Sequence, residues 1–331
     1  MKREVLKRTM KKAVIIGLEN QDAYYLSELL INKGYSVIGL FKYKDLLKDY
    51  IYYSNNIKYV NLLENDIENI LRKVKPHEVY NLYVSCGSLT RKVLKCISVY
   101  ELKCKYYQSS NAILFEKFLE EDACENEFFV NSRGYLYSYW RTKSYRECYN
   151  IFACNGVLFN HESVKSRERN SASTIAKSVV MISLGLKDII YIDNLDYKKE
   201  WGYTKDYIRG IWMMMQSTIP SDYVLSTNEV HSIREFIEKA FYEVGITIKW
   251  RGKGIYEEGY NERNGKVLVR INKENNVSCK KEILCGNSKK AEQLLNWRSE
   301  MKFFDLIKKL VSYYKNSIIK EVYLKVSANK V

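Results

Sequence analysis

Lys12-Ala13-Val14-Ile15-Ile16-Gly17 decides how the fold begins, because it is a short β-branched run closed by glycine. The apolar positions at residues 24–32 then recur on one helical face, which predicts a first helix that begins near Gln21. Gly34 ends this helix, and a second apolar strand follows at residues 36–41. The opening therefore predicts a βαβ unit of about 30 residues with parallel strands.

The alternation of helix-period and strand-period segments continues as far as residue 159. Its later members are helices at residues 67–74 and 89–100 and strands at residues 78–84 and 105–109. A chain that alternates in this way predicts an α/β fold with a Rossmann-type, doubly wound parallel sheet. After residue 160 the pattern is less regular, which predicts a smaller C-terminal substrate domain.

Domain boundaries follow from this change of pattern. We expect a Rossmann dinucleotide-binding domain at residues 11–160, with a returning segment at about 205–227. The smaller substrate domain then comprises residues 161–204 and 228–325. Ligands of doubly wound sheets bind at the carboxyl ends of the strands, so we expect the pocket in the cleft between the two domains.

The bulk composition excludes several classes of protein. With 331 residues, 46% of them hydrophobic, the chain can bury a large core, and disorder of the whole is not expected. The net charge of +15 raises the hypothesis of a basic structural protein associated with nucleic acid. However, basic residues alternate with acids, as in Lys198-Lys199-Glu200, and no recognition motif accompanies them. Nucleic acid is therefore not an expected partner.

Neither a membrane span nor a metal site is expected. The longest apolar stretch, residues 179–192, is broken by Lys187 and Asp188 and is shorter than the roughly 20 residues that cross a bilayer. The eight cysteines and three histidines lack the close ligand spacings of zinc and redox motifs. The N-terminus leads directly into the first strand rather than into a signal-peptide core, so we expect a cytoplasmic location.

Two longer strings carry a family resemblance. They are Lys75-Pro76-His77-Glu78-Val79-Tyr80-Asn81-Leu82 and, more specifically, Asn155-Gly156-Val157-Leu158-Phe159-Asn160-His161-Glu162-Ser163. Shorter strings follow in the same order as in the family: Asn194-Leu195-Asp196, Trp201-Gly202, Lys205-Asp206-Tyr207, Glu229-Val230-His231-Ser232-Ile233-Arg234-Glu235-Phe236 and Leu294-Leu295-Asn296-Trp297. Over residues 11–315 the chain resembles the GDP-mannose 4,6-dehydratases of the extended short-chain dehydrogenase/reductase superfamily.

The resemblance implies a specific reaction. In that family, bound NADP takes a hydride from carbon 4 of GDP-mannose, water leaves from carbon 6, and the hydride returns there to give GDP-4-keto-6-deoxymannose. This chemistry requires a tyrosine base whose pKa is lowered by a neighbouring lysine. It also requires a carboxylate for the carbon 5 proton and a hydroxyl that polarises the developing ketone.

The cofactor residues that the resemblance implies are altered. The family's Gly-x-x-Gly-x-x-Gly turn keeps Gly17, but Asn20, which tolerates a left-handed backbone, and Ala23 hold its other places. Lys42-Tyr43 replaces the paired arginines for the 2′-phosphate of NADP, and Tyr83-Val84-Ser85-Cys86 adds bulk to a small-residue segment. We therefore expect weak or lost NADP binding. The implied cofactor set is Gly17, Asn20, Gln21, Asp22, Lys42, Leu82, Ser85, Cys86 and His161.

The catalytic positions are altered as well. Asn111 and Ile113 hold the places of the family's threonine and glutamate after the strand at residues 105–109. Counted back without gaps from Asn160, the family's Tyr-x-x-x-Lys falls on Asn131 and Tyr135; counted forward from Ser110, it falls on Tyr135 and Tyr139. Neither register supplies the lysine.

A Tyr-x-x-x-Lys pair does occur at Tyr139 and Lys143, and it is the main argument for catalysis. Its use requires deletion of about eight residues before Asn160, which leaves the helix too short to reach its next strand. The spacing also arises often by chance in a chain with 29 tyrosines. On the substrate side, the resemblance implies contacts from Asn160 and Lys199. His161 either contacts the cofactor or fixes the end of its strand through hydrogen bonds.

Segments that hold the fold are retained, while those that carry chemistry have changed together. We interpret the chain as a catalytically inactive GDP-mannose 4,6-dehydratase-like protein, a scaffold or regulatory subunit with weakened nucleotide or nucleotide-sugar binding. Its expected ligand is GDP-mannose or a related nucleotide sugar, and its expected assembly is a homo-oligomer or a hetero-oligomer with an active relative. The alternative is an active, NADP-dependent dehydratase that uses Tyr139 and Lys143.

Overall fold

In the computed structural model the described residues are 10–48, 50–52, 54–84, 86–112, 128–166, 171–272 and 285–328, with the backbone alone at 128–133 and 325–328. The chain divides into two compact units. The first comprises Met1–Phe159, Tyr207–Leu225 and Ser288–Arg298. The second comprises Asn160–Asp206, Ser226–Asn287 and Ser299–Val331.

Strands and helices alternate through most of the described chain. The strands are β1 (Lys12–Ile16), β2 (Ser36–Phe41), β3 (Ile57–Asn61), β4 (Glu78–Asn81), β5 (Lys105–Asn111), β6 (Ala153–Leu158), β7 (His161–Glu162), β8 (Ile190–Ile192), β9 (Lys198–Lys199), β10 (Gly202–Tyr203), β11 (Tyr223–Leu225), β12 (His231–Ser232), β13 (Ile248–Arg251), β14 (Glu258–Asn261) and β15 (Val267–Ile271). The helices are α1 (Gln21–Asn32), α2 (Lys44–Leu47), α3 (Ile67–Val74), α4 (Gly87–Val99), α5 (Phe128–Tyr149), α6 (Ala172–Ser183), α7 (Thr204–Gln216), α8 (Ile233–Tyr242), α9 (Lys289–Leu295) and α10 (Phe303–Ala328).

The sheet of the first unit is parallel. Within the described residues its seven strands lie in the order β11-β6-β5-β4-β1-β2-β3, and β1 pairs with both β2 and β4. The order of the strands reverses beside β1, which is the switch point of a doubly wound sheet. The predicted α/β fold with a Rossmann-type sheet is confirmed, and the first helix begins at Gln21 as expected.

The apolar run in β1 is buried on both faces. Ile15 packs in one core layer with Leu26 of α1, and Ile16 packs in the other with Val93 of α4. All four side chains are fully buried. Successive strand residues point to opposite faces, so a continuous apolar strand requires a helical layer on each side.

The second unit is built around a smaller sheet. In the described residues it has four strands in the order β13-β14-β15-β8, and α6, α8 and α10 contribute to its core. Trp201 stacks on Phe236 with ring centroids 4.7 Å apart, and His231 stacks on Phe303 at 3.9 Å. These aromatic contacts explain why the retained strings around residues 201 and 231 support the fold.

Ser288–Arg298 belongs to the first unit, whereas we expected all of residues 228–325 in the smaller domain. Trp297 is fully buried and meets Tyr207 of α7 edge-on at 5.8 Å. A Cβ atom on Gly210 would lie 2.8 Å from Trp297 Nε1, so the glycine makes room for the indole. This buried tryptophan holds the segment in the first unit. The binding roles of the two domains stay predictions.

Candidate functional site

The turn between β1 and α1 is the first part of the candidate nucleotide site. Gly17 has φ +94°, a value that favours glycine, and its amide donates to the Leu40 carbonyl at 2.9 Å. Asn20 has an extended backbone with φ −147°, not the left-handed one that we considered, and its side chain accepts from the Ala23 amide at 2.9 Å. This cap satisfies one of the amides that a helix N-terminus would otherwise offer to a pyrophosphate.

The Tyr83 side chain covers this turn. A Cβ atom on Gly17 would lie 3.2 Å from Tyr83 Cδ1, so the ring lies directly against the glycine. The Tyr83 hydroxyl donates to Glu19 Oε2 at 2.7 Å. Burial, and then this hydrogen bond, raise the pKa of Tyr83 above its ordinary value, so the phenol stays protonated and donates. The Tyr83 ring therefore lies where the pyrophosphate of a dinucleotide approaches a glycine turn of this kind.

Glu19 connects the turn to the end of β2. Its Oε1 accepts hydrogen bonds from the amides of Lys42 and Tyr43, the second at 2.8 Å. The Lys42 ammonium lies 4.9 Å from the ring centroid of Tyr83 and 3.5 Å from Cys86 Sγ. Both oxygens of the Glu19 carboxylate are thus bound by donors of the chain itself. The sequence analysis did not identify Glu19, because it occupies a variable place of the glycine pattern.

A cavity of about 380 Å³ opens beside Lys42. Leu62, which follows β3, lines it together with Lys92 and the N-cap residues of α3 and α4, Asp66 and Cys86. Its volume falls in the range of small-molecule sites. Its charged lining is balanced, with Lys42 and Lys92 against Glu64 and Asp66.

The nucleotide groove comprises the turn at Gly17, the end of β2 at Lys42 and the Tyr83 side chain. These residues fit NADP poorly. A 2′-phosphate needs cationic groups at the end of β2, but there the Glu19 carboxylate holds two amides and Lys42 supplies a single point charge. The pyrophosphate would approach at Gly17, against which Tyr83 packs. This arrangement disfavours a 2′-phosphorylated dinucleotide at both of its charged parts.

The other predicted cofactor residues of the first unit differ in their surroundings. Gln21 and Asp22 form the first turn of α1. Leu82 is buried, and its amide continues the pairing with β1 at 2.9 Å, so its side chain is a packing residue. Cys86 is the N-cap of α4. Ser85 lies outside the described residues.

The structure places only some of the predicted catalytic positions. Asn111 is the last residue of β5, at the carboxyl end of the sheet, where it pairs with Leu158. Ile113 lies outside the described residues, and for Asn131 only the backbone in α5 is described. Tyr135 lies about one turn further along α5 and is half-buried. The sequence-predicted tyrosine position therefore lies in the first half of the helix.

A buried polar network that sequence reasoning missed fixes the position of α5. Gln108 Oε1 accepts hydrogen bonds from Thr90 Oγ1 at 2.8 Å, Tyr106 Oη at 2.7 Å and Asn81 Nδ2 at 3.0 Å. Thr90 Oγ1 also lies 3.2 Å from Ser138 Oγ of α5. All five residues are buried. Because a buried polar group is costly unless it is paired, this network selects one register of α5 on the sheet.

Tyr139 lies beside the amino end of β11. Its carbonyl accepts a hydrogen bond from Asn155 Nδ2 at 3.2 Å, and the charge of Asp222, the residue before that strand, acts on its hydroxyl. Burial, and then the charge of Asp222, raise the pKa of Tyr139. A phenolate base requires the opposite shift. Ligands of this fold bind at the carboxyl ends of the strands, whereas Asp222 lies at the amino end of β11.

Lys143 makes its contacts along the exposed side of α5. Its Nζ lies 3.9 Å from Glu147 Oε1, one turn further on, and 5.0 Å from the ring centroid of Trp140. Glu147 and Trp140 are both exposed. These contacts give Lys143 a role on the helix surface.

The remaining predicted residues lie in the second unit. The Asn160 carbonyl accepts from the Gly202 amide at 3.0 Å, and His161 pairs with the same residue in the parallel β7–β10 ladder. Lys199 Nζ donates to Glu162 Oε1 at 2.9 Å, and both side chains are largely buried. The Lys199 ammonium, which we expected to contact the substrate, is therefore paired with the Glu162 carboxylate. Glu162 lies in a string that resembles the family, but no role was predicted for it.

Two further observations concern the described residues as a whole. No three of their His, Cys, Asp and Glu side chains come together in a group that could hold a metal ion. Every helix among them is too short or too polar to cross a membrane.

The chain is similar to a set of proteins that share one name. A family model described as GDP-mannose 4,6 dehydratase matches residues 87–310. The chain is 35% identical over 348 residues to the GDP-mannose 4,6 dehydratase of Dictyostelium discoideum, which covers 92% of this chain and 97% of the relative. It is 34% identical over 334 residues to that of Homo sapiens, which covers 90% of each.

Solved structures are similar in fold. The dTDP-glucose 4,6-dehydratase of Bacillus anthracis str. Ames, in complex with NAD, gives a TM-score of 0.67 at 13% identity and covers 92% of this chain and 97% of its own. An epimerase of Methanothermobacter thermautotrophicus gives 0.71 at 16% identity, with 94% and 95% covered. At these identities the likeness shows the fold alone.

Proposed function

The chain belongs to the GDP-mannose 4,6-dehydratase family, and from that premise we propose that it is a member without dehydratase activity. In this proposal it acts as a scaffold or regulatory subunit whose nucleotide or nucleotide-sugar site is weakened. The observation that carries the proposal is the surroundings of Tyr139, the tyrosine of the Tyr-x-x-x-Lys pair. Its carbonyl accepts a hydrogen bond from Asn155 Nδ2 at 3.2 Å, and burial, then the charge of Asp222, raise the pKa of its phenol.

The substitutions at the carboxyl end of the sheet support the same proposal. Asn111, at the end of β5, has an amide in place of the hydroxyl that would polarise a developing ketone. Ile113 has no group that accepts a proton. A general acid or base typically contributes 10²–10⁴-fold, and groups that act together are not additive, so the loss of one already leaves little turnover.

The nucleotide groove supports weakened NADP binding. Tyr83 packs against Gly17, and Glu19 bonds to the amides at the end of β2. We expect NADP to bind at least about tenfold more weakly than to an active relative, which corresponds to roughly 1.4 kcal/mol. The proposed ligand is GDP-mannose or a related nucleotide sugar. The proposed assembly is a homo-oligomer, or a hetero-oligomer with an active relative, in the cytoplasm.

The second candidate function is an active dehydratase that converts GDP-mannose to GDP-4-keto-6-deoxymannose with NADP. The names of the relatives favour it, since the chain is 35% identical to the Dictyostelium discoideum protein over 92% of its length. It requires Tyr139 and Lys143 to face a bound nucleotide sugar. The ion pair of Lys143 with Glu147 would then have to be broken.

Incubation of the purified full-length chain with NADP and GDP-mannose separates the two functions. Calorimetry measures the NADP affinity, and mass spectrometry measures the product. The Dictyostelium discoideum relative, assayed in parallel, shows that the conditions support turnover. The proposal predicts weak NADP binding and no product. Product that disappears in the Tyr139→Phe variant would establish the active dehydratase instead.

A further inference from the structure

We propose that Glu19 decides which nucleotide the groove of the first unit accepts, because its carboxylate occupies the anion position at the end of β2 and excludes a ribose that carries a 2′-phosphate. The preferred ligand is then a dinucleotide with a free 2′-hydroxyl. This inference rests on the proposed function in one respect, that the groove still holds a nucleotide.

The Glu19 carboxylate lies at the end of β2. In doubly wound sheets the end of the second strand recognises the 2′ position of the adenosine ribose. At that end the consecutive amides of Lys42 and Tyr43 both donate to Glu19 Oε1. Consecutive backbone amides that converge on one oxygen form an anion site. The chain therefore fills with its own carboxylate the place that a 2′-phosphate would need.

This carboxylate is held in place. The hydroxyl of Tyr83 donates to the other oxygen, Oε2, at 2.7 Å, and the Tyr83 ring rests on Gly17. With both oxygens bonded and the ring packed, Glu19 does not swing away without the loss of three hydrogen bonds. A bound 2′-phosphate would face this fixed negative charge at short range, where like charges repel strongly.

The nearby cations do not reverse this preference. Lys42 is a single point charge, and its ammonium lies over the Tyr83 ring and beside Cys86. The adjoining cavity of about 380 Å³ has Lys42 and Lys92 in its lining, together with Glu64 and Asp66. A carboxylate next to a ribose accepts hydrogen bonds from free hydroxyls, so the same charge that repels the phosphate favours a 2′-hydroxyl.

The test compares NAD with NADP, which differ only in the 2′-phosphate, by calorimetry on the full-length chain. We expect the wild type to bind NAD at least about tenfold more tightly than NADP. Glu19→Gln keeps the shape of the side chain but removes its charge. This variant should reduce the ratio of the NADP and NAD dissociation constants at least about tenfold. Glu28→Gln removes the same charge from α1 about two turns away and should leave the ratio unchanged.

Equal affinities for NAD and NADP in the wild type would overturn the inference, as would a ratio that Glu19→Gln leaves within about twofold. Failure of folded Glu19→Gln protein to bind either nucleotide would overturn it too, with folding checked by circular dichroism. Turnover of GDP-mannose with either cofactor would instead refute the proposed function. The ratio of the two dissociation constants tests Glu19 alone.

Discussion

The backbone carbonyl of Tyr139 accepts a hydrogen bond from Asn155 Nδ2 at 3.2 Å, and burial together with the charge of Asp222 raises the pKa of Tyr139. Asp222 is also the bidentate partner of Arg146, with N–O distances of 2.6 and 2.7 Å. The tyrosine of a catalytic pair has the opposite neighbour, an ammonium that lowers its pKa. Under the proposed function, Tyr139 contributes to the packing of α5 rather than to proton transfer.

We expect Tyr139→Phe to change stability without changing catalysis. Loss of the hydroxyl removes a half-buried polar group near the charge of Asp222, which costs about 0.5–1.5 kcal/mol. Urea unfolding measures the cost. Tyr149→Phe, at an exposed tyrosine of the same helix, is the matched control and should stay within about 0.5 kcal/mol of the wild type. Equal stabilities of the two variants would contradict this role for Tyr139.

Arg146→Met should destabilise the first unit strongly at neutral pH, because it leaves the carboxylate of Asp222 without its charged partner. The two side chains are 14% and 15% exposed, and removal of one partner of a buried pair costs about 3–5 kcal/mol. The free energy of unfolding in urea at pH 7 measures this loss. A change below about 1 kcal/mol, the value of an exposed pair, would show that the pair is not effectively buried.

The cost of Arg146→Met should depend on pH. Burial alone would raise the pKa of Asp222, but the hydrogen bonds and charge of Arg146 and the amides of Asn155 hold it below its ordinary value. The contribution of the pair is therefore present above the unfolded pKa of about 3.9 and is lost as the pH falls through the lower folded pKa. The difference in stability between wild type and variant should shrink below about pH 4. A difference that stays constant between pH 7 and pH 3 would refute the linkage.

Gly17→Ala should cost more than Gly34→Ala. Both glycines have positive φ, +94° and +81°, so each substitution forces an alanine into a backbone conformation that costs about 1–2 kcal/mol. A Cβ atom at residue 34 meets nothing within 4 Å, whereas at residue 17 it would press on the Tyr83 ring at 3.2 Å. Thermal unfolding of the two variants isolates the contribution of the ring. Equal costs would show that Tyr83 yields freely at the turn.

Gln108→Met should destabilise the first unit because it removes the acceptor of three buried donors. Stranding such donors costs about 1–3 kcal/mol each, although the costs are not additive. The double variant with Tyr106→Phe removes one stranded hydroxyl and should recover part of the loss. Urea unfolding of both variants provides the test. No recovery in the double variant would mean that the hydrogen bond from Tyr106 is not what Gln108 satisfies.

Sequence reasoning recovered the sheet because β1 is an unbroken apolar run, and only burial on both faces explains such a run. It placed Ser288–Arg298 in the wrong unit, because the packing of Trp297 against Tyr207 joins residues far apart in the chain. Local periodicity carries no information about such contacts. The interrupted apolar pattern gave no sign that this segment returns to the first unit.

The altered groove was only partly visible in the sequence. The pattern at Gly17 and the bulk of Tyr83 could be read from the family resemblance. The hydrogen bond between Tyr83 and Glu19 could not be predicted, because Glu19 occupies a position where the glycine pattern allows any residue. The influence of Asp222 on Tyr139 was missed because the two residues are 83 positions apart and Asp222 belongs to no motif.

The central claim is that this member of the family does not carry out the dehydratase reaction, and isotope transfer tests it most directly. GDP-mannose labelled with deuterium at carbon 4 is incubated with NADP and an excess of the full-length chain, so that even a single turnover is visible by mass spectrometry and NMR. The account predicts that the deuterium stays at carbon 4 and that no 4-keto product forms. Deuterium that moves to carbon 6, and no longer does so in Tyr139→Phe, would contradict it.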